Sequence, residues 1–117
     1  MISALSSSVS AINAFEKKMA VVSNNIANSQ TDGFKKSRAD LKEGGAGAVA
    51  VDINIIDNPG PVVSVKEKAG IAEKEMSNVD LAGEIPQAIL VQTGFEANLK
   101  MLKTEDEMLG TLLDILA

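Results

Sequence analysis

The sequence contains no cysteine, histidine, tryptophan or tyrosine, and its three aromatic residues are Phe15, Phe34 and Phe95. Thiolate nucleophiles, imidazole bases and the usual zinc ligands are thereby excluded, which leaves acid–base chemistry to carboxylates and lysines alone. Neither a nucleophile beside a base nor a pair of carboxylates at useful spacing is found, and there is no cofactor fingerprint. The expectation is a protein that is not an enzyme, with no cofactor, no metal and no small-molecule substrate. Gly44-Gly45-Ala46-Gly47 lacks the downstream Lys-Ser/Thr of a phosphate loop and reads as a flexible linker. Glu105, Asp106 and Glu107 are consecutive on a helix and point in different directions, so they read as an acidic face rather than a metal site. No stretch reaches the roughly 20 apolar residues that span a bilayer, and Met1 is not followed by a charged segment and a long apolar one. A cleaved signal peptide is therefore not expected.

What is present is aliphatic: 45% of the 117 residues are hydrophobic and only 3% aromatic, which favours helix packing over a bulky sandwich core. The length suits a single structural unit, residues 1–117. Residues 1–42 carry six Lys/Arg and three Asp/Glu (+3), residues 43–76 three and six (−3), and residues 77–117 two and seven (−5). The two ends are electrically complementary, and the overall charge of −5 argues against nucleic acid as a partner. Lys35, Lys36 and Arg38 have no aromatic interleaving and read as a solvated basic arm.

From Ile2 to Ile26 the apolar positions Ile2, Leu5, Val9, Ile12, Phe15, Met19, Val22 and Ile26 follow steps of three and four, the stripe of an amphipathic helix. It should end near Asn28, where Asn and Ser side chains compete for backbone hydrogen bonds and Asp32-Gly33 signals a turn. Val49, Val51, Ile53 and Ile55 alternate with smaller or polar residues, as in a half-buried strand. Asp57-Asn58-Pro59-Gly60 and then Val62, Val63 and Val65 suggest one small β-hairpin turning at Pro59-Gly60.

In the last third, Leu81, Ile85, Ala88, Gln92, Phe95, Leu99, Leu102, Asp106, Leu109, Leu113 and Leu116 form an unbroken heptad seam, with Gln92 and Asp106 its polar members. Ser77 and Asp80 are candidate caps for this helix. Pro86 predicts a kink, or a continuous helix only from about that residue. The fold expected is mainly α: antiparallel N- and C-terminal long helices forming a coiled-coil hairpin, with a small β-hairpin in the middle. Residues 1–42 hold the first helix and the basic arm, residues 43–76 the Gly-rich linker and β-hairpin, and residues 77–117 the heptad helix. Two helices leave each seam half covered, so the core is completed by assembly.

Two segments carry a resemblance. SALSSSVSAINAFEKKMAVVSNNIANSQTDGFKKSRADL, with Asn24-Asn25-Ile26-Ala27-Asn28 and Gly33-Phe34-Lys35 at its centre, resembles the N-terminal signature of bacterial flagellar basal-body rod and hook proteins. SNVDLAGEIPQAILVQTGFEANLKMLKTEDEMLGTLLDIL resembles their C-terminal motif through Ser77-Asn78-Val79-Asp80-Leu81, Phe95-Glu96-Ala97-Asn98 and Asp106-Glu107-Met108-Leu109. The resemblance implies a structural subunit of the flagellar rod, proximal-rod-like in its small size. Such a subunit is exported without a cleaved signal by the flagellar type III apparatus. It assembles with itself and other rod proteins into a helical axial tube in the basal body, for motility. A non-polymerising paralogue acting as a helical adaptor or assembly accessory is the alternative, suggested by Gly83, Pro86 and the unmatched middle. The assembly interface nominated by stripes and motifs together comprises Leu5, Val9, Ile12, Phe15, Val22, Asn24, Asn25, Ile26, Asn28, Gly33, Phe34, Leu81, Ile85, Phe95, Asn98, Leu99, Leu102, Leu109, Leu113 and Leu116.

Overall fold

A computed structural model describes residues 2–117. Helix α1 spans Ile2–Ala27, ending where the side chain of Asn28 turns back to donate to the Asn24 carbonyl (2.9 Å) and Oδ1 (3.1 Å). The Asn28 N–H shares the same Asn24 carbonyl (3.1 Å), and Gly33, at φ +65°, completes the exit in the left-handed region where a Cβ is disfavoured.

Four strands follow. β1 (Ser37–Glu43) pairs antiparallel with β2 (Val49–Ile55), and β3 (Val62–Glu67) pairs antiparallel with β4 (Gly70–Glu75), giving two separate two-stranded sheets. The middle therefore holds two hairpins where one was expected. From Ser37 on the basic arm is strand β1, with Lys35 and Lys36 just before it, and the Gly-rich linker is the turn that returns it to β2. Three features build that turn: a short 3-10 segment Gly45–Gly47, positive φ at Ala46 and Gly47, and a 2.7 Å bond from the Gly44 N–H to the Ala48 carbonyl. Pro59-Gly60 connects the two hairpins instead of closing one. Its glycine is obligatory for another reason: a Cβ there would sit 2.1 Å from the Met76 carbonyl oxygen.

The β1–β2 hairpin lies along α1. Ala39 is buried and Leu41, Val49 and Val51 are half-buried. Two serines of α1 tie down its far end, Ser10 Oγ accepting from the Val49 N–H (3.1 Å) and Ser7 Oγ donating to the Gly47 carbonyl (2.8 Å). β3 is exposed along its whole length, so the second hairpin is a ribbon held at its base.

Helix α2 runs Leu81–Leu116 and packs antiparallel on α1. Asp80 is its cap, accepting from the Ala82 N–H at 3.1 Å, while buried Ser77 takes the Val79 N–H at 3.2 Å. The helix starts at Leu81 and accommodates Pro86 inside it, rather than beginning at the proline. Midway, Phe15 lies over Gly94 so closely that a Cβ would meet its ring at 2.6 Å. α1 is thus covered on two sides, by the hairpin and by α2, and the molecule measures 81 × 23 × 18 Å.

The seam of α2 that meets α1 is displaced from the one read in the sequence. Its covered positions are Glu84, Ala88, Val91, Phe95, Asn98, Leu102, Glu105 and Leu109. Ala88, Phe95, Leu102 and Leu109 are common to both readings; Ile85, Gln92, Leu99 and Asp106 give way to the residues one place before them. Leu81, Ile85, Leu99, Leu113 and Leu116 are exposed. The reason is local: Asn25 of α1 captures Glu84, and Gly94 admits Phe15, which together set the rotation of α2 against any preference for a leucine-rich contact.

Because the obstacle at Gly60 is backbone, Gly60→Ala is expected to cost about 1–3 kcal/mol by forcing the chain apart. A urea unfolding midpoint equal to that of the parent would contradict the tight crossing.

Candidate functional site

Asn25 is 1% exposed and is the most buried polar side chain. Its Oδ1 accepts from the Ser37 N–H (3.0 Å) and its Nδ2 donates to the Ser37 carbonyl (2.7 Å), so one amide satisfies both backbone groups of the first residue of β1. The same Nδ2 donates to Glu84 Oε2 at 3.1 Å. The Lys36 ammonium stands 3.9 Å from the other carboxylate oxygen of Glu84. A carboxylate buried to 9% exposure needs such partners, since desolvating it unpaired costs several kcal/mol. Through Asn25, α1, β1 and α2 meet at one point.

Asn78 performs the same work at the neighbouring crossing. Its Oδ1 accepts from the Lys36 N–H (2.7 Å), and its Nδ2 donates to the carbonyls of Ile56 (2.7 Å) and Asn58 (2.8 Å). Its own N–H reaches the Phe34 carbonyl at 3.1 Å, and the Ile56 N–H donates to Lys36 at 2.9 Å. The ribbon is attached here too: the Gly33 N–H donates to the Glu75 carbonyl (2.9 Å), and Lys35 pairs with the Glu75 carboxylate, which also accepts from the Gly60 N–H (2.8 Å). The Lys35 hydrogen bond, followed by that of Gly60, holds the Glu75 carboxyl below its ordinary value of 4.5. Lys74, paired with Asp32, is raised. An open cleft of about 450 Å³ lies beside Asn25, lined by Lys18, Lys36, Arg38, Asp40, Glu84 and Gln87 among others.

The structure brings some of the nominated residues together and leaves others apart. Phe15, Val22 and Asn25 face inward, with Leu5, Ile12, Ile26, Phe95, Asn98, Leu102 and Leu109 half-buried between or beside the helices. Phe34 is half-buried, Asn28 caps α1 by way of exposed Asn24, and Gly33 makes the exit turn. Val9, Leu81, Ile85, Leu99, Leu113 and Leu116 remain on the surface. Sequence reasoning placed Asn78 in the C-terminal motif and Gly60 in a turn without assigning either a contact, and it did not single out Glu84 or Glu75. For Glu84 a signal existed, since it stands at heptad spacing before Val91 and Asn98; for Gly60 none did, because its crossing partner Met76 is distant in sequence.

This arrangement, two long antiparallel helices joined through the amides of Asn25 and Asn78 with two small β-hairpins between them, is the scaffold of a particular protein family. Comparison with known proteins specifies which. The family model described as flagella basal body rod protein matches residues 5–35, and that described as flagellar basal body rod FlgEFG protein C-terminal matches residues 74–115. The flagellar hook protein FlgE of Helicobacter pylori is 49% identical over 41 residues, which are 35% of this chain and 6% of that protein. The flagellar basal-body rod protein FlgG of Bacillus subtilis is 46% identical over 41 residues, 35% of this chain and 16% of that protein. The hook protein FlgE of Treponema pallidum matches at 46% over 41 residues, 9% of its length. The chain covers only these small shares of such relatives, and it belongs to the flagellar basal-body rod and hook protein family. Both matched spans end at the junction: Asn25 and Lys35 lie in the first, Asn78 and Glu84 in the second.

Removing the Asn25 amide orphans both backbone groups of Ser37 and strips Glu84 of a donor. Asn25→Ala is therefore expected to cost about 2–4 kcal/mol in urea unfolding, and a loss below about 0.5 kcal/mol would contradict its role as the junction. Glu75, with its pKa depressed on folding, contributes stability that is complete above pH 4.5 and is lost as pH falls through the lowered value. Glu75→Gln should flatten that acid limb of a stability–pH curve, and an unchanged limb would refute the assignment.

Proposed function

We propose that the chain is a structural subunit of the flagellar basal-body rod that assembles with copies of itself and with other rod proteins into a helical axial tube. The family membership supports the location, and one observation supports assembly through the helices. α2 carries a second column that α1 leaves uncovered, Leu81 and Ile85 through Leu99 to Leu113, apolar except at Gln92 and Asp106. Together with the shared column Ala88, Phe95, Leu102 and Leu109, it makes the heptad seam of a coiled coil whose other strand belongs to a neighbouring subunit. Within the chain, α1 uses one edge of this arc; between chains, a neighbouring helix uses the other. The nominated residues thus divide by role. Phe15, Val22, Asn25 and Asn98 hold the hairpin, and Ile85, Leu99 and Leu113 bind the neighbour. The subunit reaches its place through the flagellar export apparatus and acts there by stiffness rather than by chemistry.

Washed, detergent-extracted basal bodies from the native host should contain the chain at a copy number comparable with other rod proteins, as measured by mass spectrometry. Its absence, with the protein expressed and other rod proteins detected, would refute the proposal. Leu99→Asp should leave the isolated protein's helicity intact and abolish incorporation. Leu102→Asp, by placing a charge between the helices, should lower the stability of the hairpin itself by about 3 kcal/mol or more. Incorporation of Leu99→Asp at the parental level would show that the uncovered column is not the interface.

A further inference from the structure

A third stripe runs along α2, separate from both seams. Steps of three and four from Gln87 to Ile115 meet no charged residue for eight turns of helix. Its large members are Leu90, Met101, Met108 and Ile115, which are 63, 56, 51 and 74% exposed. Between them stand small residues, Gly94, Ala97, Thr104 and Thr111, which allow a second backbone to come close. The stripe lies about a quarter turn from the contact with α1 and about half a turn from the Ile85–Leu99–Leu113 column. At Gly94 α1 reaches its edge, through Phe15.

The residues bordering the stripe indicate what covers it. Along one margin, at seven-residue intervals, come Thr93, Lys100, Glu107 and Asp114. Lys100 has no ion pair among the described residues, and Glu107 has only a 3.8 Å approach from Lys103 on the solvent side. A parallel copy of α2 would bring the acidic ends at Asp106, Glu107 and Asp114 together. An antiparallel copy separates those ends and sets Lys100 of each chain beside Glu107 of the other, twice by symmetry. In the same register Met101 lies against Thr104 of the second copy and Met108 against its Ala97, a large residue beside a small one in the central layers, while Gly94 meets Thr111 and Leu90 meets Ile115 at the ends. A stripe whose bordering charges complement those of its own reversed copy meets the requirement of an isologous interface.

We propose that the free protein pairs with a second copy of itself through this stripe, antiparallel, as a symmetric dimer whose core is the two α2 helices. The pairing does not depend on the rod reading and uses a face that reading leaves free.

Sedimentation of the full chain over a wide concentration range, with circular dichroism as a check on folding, tests it. The parent should sediment as a dimer, and Met101→Glu as a monomer of unchanged helicity. Lys100→Glu and Glu107→Lys should each weaken dimerisation about tenfold or more, and the two changes combined in one chain should restore it. A monomeric parent, or a dimer indifferent to Met101→Glu, overturns the interface. Failure of the combined charge exchange to restore pairing overturns the antiparallel register. Incorporation into basal bodies is a separate readout, so either proposal can fail while the other stands.

Discussion

The side chain of Asn25 is the constraint on which the rest of the fold depends. An amide with both ends committed to one backbone residue behaves like a piece of sheet grafted onto a helix. It fixes where β1 begins relative to α1, and its remaining donor fixes where Glu84 must lie. Since Glu84 belongs to the first turn of α2, one buried hydrogen bond at its start, together with Phe15 seated on Gly94, sets the axial position and rotation of a 36-residue helix. Polar groups are costly inside a small protein, and they compensate by permitting few alternatives: a hydrophobic contact here would tolerate sliding that the amide does not.

The rotation imposed at Asn25 explains a mismatch between the most regular pattern in the sequence and the contact the chain makes with itself. Leucine periodicity records how much apolar surface a helix has to bury, and not which neighbour buries which part. α2 is apolar over an arc broader than one helix can cover. Glu84 and Asn98, polar residues within a heptad column, face α1, while Leu99 and Leu113 do not. In an isolated two-helix protein that choice would waste hydrophobic surface. In a protein whose helices have further neighbours, it reserves the more apolar edge for them.

Much of this was legible in the residues. Both helices, the exit near Asn28 and the antiparallel return follow from spacing and from residues with strong local preferences. The β-region was legible as strand but not as pairing: Val49–Ile55 alternates plainly, yet its partner is the charged segment Ser37–Glu43, whose only buried side chain is Ala39. The basic segment from Lys35 to Lys42 reads equally as strand or loop, and from Ser37 on it is a strand because α1 offers Asn25 and β2 offers its edge. The amide-centred junction was half visible. Asn25 and Asn78 stood out through their motifs, whereas their contacts, and Glu84, acquire meaning only when residues some forty to sixty positions apart are brought together, which local periodicity does not encode.

The ribbon formed by β3 and β4 differs from every other part of the molecule in how it is attached. Its strands share no face with the helices, and its hold on the body lies at the base, where Gly33 and Lys35 bind Glu75 and Asp32 pairs with Lys74. The tip at Lys68-Ala69 is therefore a place where the chain can be lengthened at little energetic cost, since the two ends of any inserted segment already lie side by side. A two-point tether of this kind lets a scaffold take up added chain at its tip while its paired helices stay as they are.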